Sequence, residues 1–194
     1  MAMPVQHRRF TVDEYHRMAA AGILTEEDRV ELLDGEIVEM SPIGPRHAGT
    51  VNRLTRLFTK SLGDLATVSV QNPVLLSRTG EPQPDVTILA FREDGYGARL
   101  PEPRDVLLLI EVADSSAAVD RHLKLRLYAE AGVGEYWIVH LPGDRIEVYR
   151  DPSNGRYATH QTVSRGATLA PQRFPNVVLG GAEILGPGET PHLD

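Results

Sequence analysis

The chain contains no cysteine, which excludes structural disulfides, thiol nucleophiles and thiolate zinc sites together. No run approaches the roughly 20 apolar residues that a membrane-spanning helix needs. The opening MAMPVQHRRF carries no long apolar segment behind its basic residues, so a soluble cytoplasmic protein with no membrane partner is the expectation. Positive charge is also short, since 20 Lys and Arg against 27 Asp and Glu leave a formal charge of -7. That balance argues against a protein that coats nucleic acid by overall electrostatics. It leaves room for an enzyme with a local basic surface, because steering depends on the field near a cleft. Gly132 and Gly134 lack a surrounding phosphate-cradling pattern, so no nucleotide cofactor is expected, and no internal repeat or low-complexity segment is present.

What is there describes an ordinary globular protein. A length of 194 residues with 41% apolar and 24% charged content suits a single domain over 1–194 with a substantial core. The segments 1–10 and 180–194, the second rich in Gly and Pro, read as peripheral tails.

Thr11 and Glu14 form a capping box for a helix that ends before Gly22, with Phe10 able to staple against Tyr15. Val30 to Leu33 and Ile37 to Met40 flank Asp34-Gly35, the signature of a tight hairpin. From Arg46 or His47 to Leu62, apolar Val51, Leu54, Phe58 and Leu62 recur every three or four residues, and Gly63 stops the helix. Its Arg53, Arg56 and Lys60 share another face, available to a phosphate backbone or simply solvated. Leu65 to Val70, Val74 to Leu76, Val86 to Leu89 and Val106 to Val112 read as strands. The nearly continuous run VLLLIEV belongs at the centre of a sheet covered on both faces. A helix from about Val119 to Ala131, with Leu123, Leu127 and Ala131 inward, precedes a strand from Glu135 to His140. Two more strands, Arg145 to Tyr149 and Tyr157 to Val163, are separated by the turn-rich DPSNGR. The order implies an α/β or α+β fold with a mixed sheet flanked by helices and additional antiparallel strands.

Chemistry concentrates in Pro84-Asp85, Glu111-Val112-Ala113, and Asp120 with Lys124. A carboxylate such as Glu111 inside an apolar run is costly unless neutralised, hydrogen-bonded or bound to a cation. Strand pairing can set it beside Asp85, and oxygen-rich coordination, including the Val112 carbonyl, suits Mg²⁺ or Mn²⁺ and phosphodiester hydrolysis. The alternative has Glu111 satisfied by a neighbouring backbone group or lysine, Asp85 as a turn acid, and Lys124 paired with Asp120 on the helix surface. Tyr128, Tyr136 and Trp137 read as core residues with a polar atom reaching an edge.

Together, PD at Pro84-Asp85, IEVADSS from Ile110, DRHLKLRLYAEAGVGEYWIV from Asp120 and ELLDGEIVEMSPIGPRH from Glu31 resemble the bacterial Uma-two family of the PD-(D/E)XK nuclease superfamily. The resemblance runs from about Thr11 to Val178. It implies a restriction-endonuclease-like core and Mg²⁺-dependent cleavage of nucleic acid, with Mn²⁺ able to substitute. Asp85 matches the PD aspartate and Glu111 the second metal-binding acid. Ala113 stands where the broader superfamily has lysine, and Lys124 is similar to the migrated lysine of this family. Glu31 matches an early acid, as third ligand or partner of a metal-bound water, or else an exposed hairpin acid. His47 matches the histidine before the second helix, as phosphate contact, proton relay or cap, and Gln71 is a further cleft candidate. Arg53, Arg56, Lys60, Arg92, Arg99 and Arg121 are the cations available to position a backbone. The expectation is a nuclease acting on DNA, with a homodimer as one way of arranging two cuts. The rival expectations are a noncatalytic nucleic-acid-binding protein that keeps the fold, and a structural or regulatory dimerisation protein.

Overall fold

The computed structural model describes residues 7–25, 27–114 and 118–187, with the backbone alone over 118–121. The first elements follow local signals closely. Helix α1 (Val12–Ala20) opens on the capping box, Thr11 accepting from the Glu14 N–H while the Glu14 carboxylate accepts from the Thr11 N–H. Strands β1 (Val30–Leu33) and β2 (Glu36–Glu39) turn on Asp34 and Gly35, at φ 50° and 78°. That double left-handed geometry matches the right-handed twist of a hairpin. Helix α2 (Pro45–Leu62) starts on proline, whose missing N–H costs nothing at a first helical position.

The centre is a six-stranded mixed sheet of β3 (Ala66–Val70), β4 (Val86–Ala90), β5 (Val106–Ala113), β6 (Glu135–His140), β7 (Arg145–Ser153) and β8 (Arg156–Ser164), in that spatial order. Neighbours are antiparallel except β5 and β6, which are parallel and joined through helix α3 (Ala118–Ala131). The expected apolar run is indeed interior. On one face, Val51, Leu54, Phe58 and Leu62 of α2 pack with Leu108, Ile110 and Trp137. On the other, Tyr128 of α3 packs with Leu109, Tyr136 and Ile138. Burial of both faces is what lets β5 be apolar without alternation.

Three local expectations are corrected by longer-range structure. Val74 to Leu76 is not a regular strand. Pro73 and Pro82 bracket it and cannot donate to a ladder, and it folds back on its own return segment, Val74 N–H to Pro82 and Leu76 N–H to Gly80. Its apolar side chains serve the core instead. DPSNGR is largely drawn into β7 and β8, because Asn154 and Gly155, at φ 51° and 72°, suffice as the turn. Beyond the short pairing of β9 (Thr168–Leu169) with β10 (Leu179–Gly180), helix α4 (Gly181–Leu185) is no surface tail. Its Ile184 and Leu185 lie in the core beside α2.

The β1–β2 hairpin forms its own small sheet. It is tied to the chain ahead of β4 by Leu32 and Glu81, which exchange both backbone bonds. That tether brings β1 beside the start of β4. Among the described residues no helix is long and apolar enough to cross a membrane.

Candidate active site

Asp85 immediately precedes β4, after Pro84 has ended the incoming loop. Val86 pairs with Ile110, so one further step of the antiparallel register sets Asp85 opposite Glu111. Asp85 is 7% exposed. Its Oδ2 accepts from the Val112 N–H at 2.8 Å and from His47 Nε2 at 3.0 Å, and its Oδ1 accepts from Gln71 Nε2 at 3.3 Å. Gln71 also donates its backbone N–H to the Asp85 carbonyl, from a left-handed position at the end of β3 with φ 50°. His47 sits on the first turn of α2. The bond to Asp85, with the charges of Asp85, Glu111 and Asp114, raises its pKa despite burial, and its Nδ1 is buried with no hydrogen-bond partner.

Glu111 stands near the end of β5. Its Oε1 accepts from Lys124 Nζ at 3.1 Å and from the Tyr128 hydroxyl at 2.8 Å. Lys124 also contacts Glu31 Oε1 at 2.9 Å, and Glu31 Oε2 accepts from the Gln83 N–H at 3.1 Å. One ammonium thus bridges carboxylates of β1 and β5. Burial, with the charges of Asp85 and Glu31, pushes the Glu111 carboxyl up to about 7, although Lys124 and the Tyr128 hydroxyl pull the other way.

Asp85, Glu111, Val112, Lys124, Glu31, His47 and Gln71 therefore line one cleft of roughly 1050 Å³. Glu31, left between a ligand and an exposed hairpin acid on sequence grounds, is 2% exposed. The Asp120 and Arg121 side chains lie outside the described residues. The other basic candidates do not converge on the cleft. Arg56 and Lys60 are exposed, Arg92 pairs with Asp94, and Arg99 with Asp105. Tyr128, read as core, is fully buried but also holds Glu111. Its signal was available: it lies four residues after Lys124, on the same face of α3.

Among the described residues no group of three or more His, Asp or Glu has a geometry able to hold a metal ion by itself. Mg²⁺ does not require one, since it usually keeps several waters and binds through one or two carboxylates plus substrate phosphates. Asp85, Glu111 and the Val112 carbonyl are hard oxygen donors of that kind. The Glu111 pKa is raised mainly by burial and further by the charges of Asp85 and Glu31, and a divalent cation would favour the charged carboxylate against all of these.

A family model described as "Uma2: Putative restriction endonuclease" matches residues 12–180. Among solved structures, the chain is similar to one described as a putative nuclease belonging to DUF820 from Anabaena variabilis. The two are 15% identical, with a TM-score of 0.72 over 91% of this chain and 97% of that one. At that identity the likeness concerns the fold. No curated protein matches the chain.

Proposed function

From membership of the Uma2 family, to which this chain belongs, we propose that it is a divalent-metal-dependent nuclease hydrolysing phosphodiester bonds of DNA. The observation that carries the reading is the convergence of Asp85, Glu111 and Lys124 on one cleft although they come from the segment ahead of β4, from β5 and from α3. Asp85, Glu111 and the Val112 carbonyl are the residues that would hold Mg²⁺, or Mn²⁺ in its place. When bound, such an ion supplies Lewis-acid polarisation of a phosphoryl oxygen and a water of lowered pKa.

The chain's own residues account for the remaining roles. Ala113 leaves the usual lysine position of β5 without charge. Lys124 supplies an ammonium from α3 instead, and a long flexible stem allows delivery from a different anchor. That ammonium serves to orient the attacking water and to offset negative charge growing on the phosphate oxygens. Tyr128 fixes the Glu111 carboxylate, while His47 and Gln71 fix that of Asp85. Glu31 holds the ammonium from its other side. Held side chains reduce the reorganisation needed as the reaction proceeds.

The test is conversion of supercoiled DNA with Mg²⁺, Mn²⁺ or chelator, for the parent and for Asp85→Ala, Glu111→Ala and Lys124→Ala. Cleavage by the parent with metal, lost in each variant, is expected. Equal cleavage by all four proteins would implicate another site or a contaminant. A second reading, a noncatalytic nucleic-acid-binding protein, draws on the engagement of Lys124 by two acids at once. DNA binding by the parent without turnover in any metal would select it. Light scattering of the protein with and without DNA tests the homodimer.

A further inference from the structure

Among the described residues, the cleft carries few cations with which to grip a nucleic-acid strand. Asp28, Glu31, Asp85, Glu111 and Asp114 line it against Arg29 and Lys124, and Lys124 is already shared by two of those acids. Cations gather instead on the far side of the first turns of α2. There a pocket of about 320 Å³ is lined by Arg46, Arg53 and Arg165, with Asp144 as its acid.

The three guanidiniums are differently held. Arg165 chelates Asp144 and donates to the Gly186 carbonyl. Arg53 donates to the Thr50 hydroxyl at 2.7 Å and to the Leu185 carbonyl at 3.0 Å, both neutral acceptors. Arg46 donates to the Leu141 carbonyl and faces Asp114, at 3.9 Å, on the rim of the cleft. Burial, and after it the charge of Arg165, lower the Arg53 pKa, so Arg53 is a partly desolvated guanidinium set beside a second one. Guanidinium forks match phosphate oxygens in shape as well as charge. His47 faces the cleft from the same turn of α2 on which its neighbour Arg46 lines this pocket.

We propose that this pocket is a second phosphate site, which grips a backbone phosphate of the bound nucleic-acid strand away from the scissile one. The strand would cross the first turn of α2, its reacting phosphate among the acids and another phosphate among the arginines. This assignment rests on the nuclease reading and adds a backbone grip beside a cleft whose described lining is mainly acidic among its charged residues. Arg53 and Arg165 also satisfy the last carbonyls of α4, a purely structural task that the test must separate.

The full chain is compared with Arg46→Gln, Arg165→Gln and, as control, Arg104→Gln, an exposed residue paired with Glu102. Arg46 is held by Leu141 and Asp114, so its variant leaves the bonds from Arg53 and Arg165 to α4 in place. The first arm measures binding of a fluorescein-labelled DNA oligonucleotide in EDTA across a salt series. Loss of one phosphate contact lowers the slope of log affinity against log salt by about one, and this is expected for Arg46→Gln and Arg165→Gln but not for Arg104→Gln. The second arm, with Mg²⁺, compares kcat/KM for the oligonucleotide with that for bis(p-nitrophenyl) phosphate, which is too small to span both sites. The ratio should fall about tenfold in both pocket variants, as for one lost charge-assisted contact. An unchanged slope, or parallel loss on both substrates as from a damaged α4, overturns the assignment. If the parent hydrolyses neither substrate the nuclease reading fails, and the salt slope alone then keeps or removes the phosphate site.

Discussion

Replacing Lys124 with methionine keeps most of the stem's volume and removes the one charge shared by Glu31 and Glu111. The ammonium lies 2.9 Å from the first and 3.1 Å from the second, and the three side chains are 12%, 3% and 15% exposed. Removing one member of a buried ionic group costs about 3–5 kcal/mol because the others stay desolvated and uncompensated. Here the penalty has an outlet, since Glu111 can take up a proton. Its folded pKa, pushed to about 7, lies above the ordinary 4.5, so the native state holds more protons than the unfolded chain between those values. Stability therefore falls as pH rises through that window, by on the order of 3 kcal/mol in the parent, and levels off above about 7. Without the lysine the Glu111 pKa climbs further and the decline continues to higher pH. The expected destabilisation by Lys124→Met, from urea unfolding in EDTA, is then about 1–2 kcal/mol at pH 6 and about 3–5 kcal/mol at pH 9. Adding Glu111→Gln should recover most of the loss at pH 9. A destabilisation equal at pH 6 and pH 9 would refute the reasoning, because it would mean that the Glu111 proton does not answer to Lys124.

Asp85→Asn should cut Mg²⁺-dependent cleavage roughly 10³-fold, the rate equivalent of losing several kcal/mol of charge stabilisation; calorimetry should show weakened Mg²⁺ binding, and undiminished binding would remove Asp85 from the ion's shell. Tyr128→Phe should cost about 1 kcal/mol of stability through the lost hydrogen bond. Because that bond lowers the Glu111 pKa, the variant should also shift the pH midpoint of Mg²⁺ binding upward, and an unmoved midpoint would count against the contact. The His47 ring, followed by proton NMR, should titrate above the ordinary 6.5 and move down in Asp85→Asn. With a raised folded pKa, His47 lends stability that is complete below pH 6.5 and lost as pH rises through its folded midpoint. Phe58→Ala, at a fully buried position under the sheet, should cost about 3–5 kcal/mol by chemical denaturation, and a loss below 1 kcal/mol would show that α2 is not the main cover of that face.

Features written in neighbouring residues are legible in the amino-acid sequence alone. Thr11 with Glu14, Asp34 with Gly35, the apolar spacing of Val51 to Leu62 and the unbroken run of β5 each specify a local geometry through a cap, a turn conformation or a period. The family resemblance likewise singles out Asp85, Glu111 and Lys124 as candidates, and these three line one cleft. Tertiary structure decided what these groups touch. It buried Glu31 against Lys124 by tethering the hairpin through Leu32 and Glu81, turned Arg53 towards the end of α4 and away from the cleft, and made Tyr128 a partner of Glu111 as well as a core residue. The division has a physical cause. A cap or a period is a relation between residues a few positions apart, whereas the direction and protonation of a charged side chain depend on which distant segments exclude water from it and which counter-charges they bring.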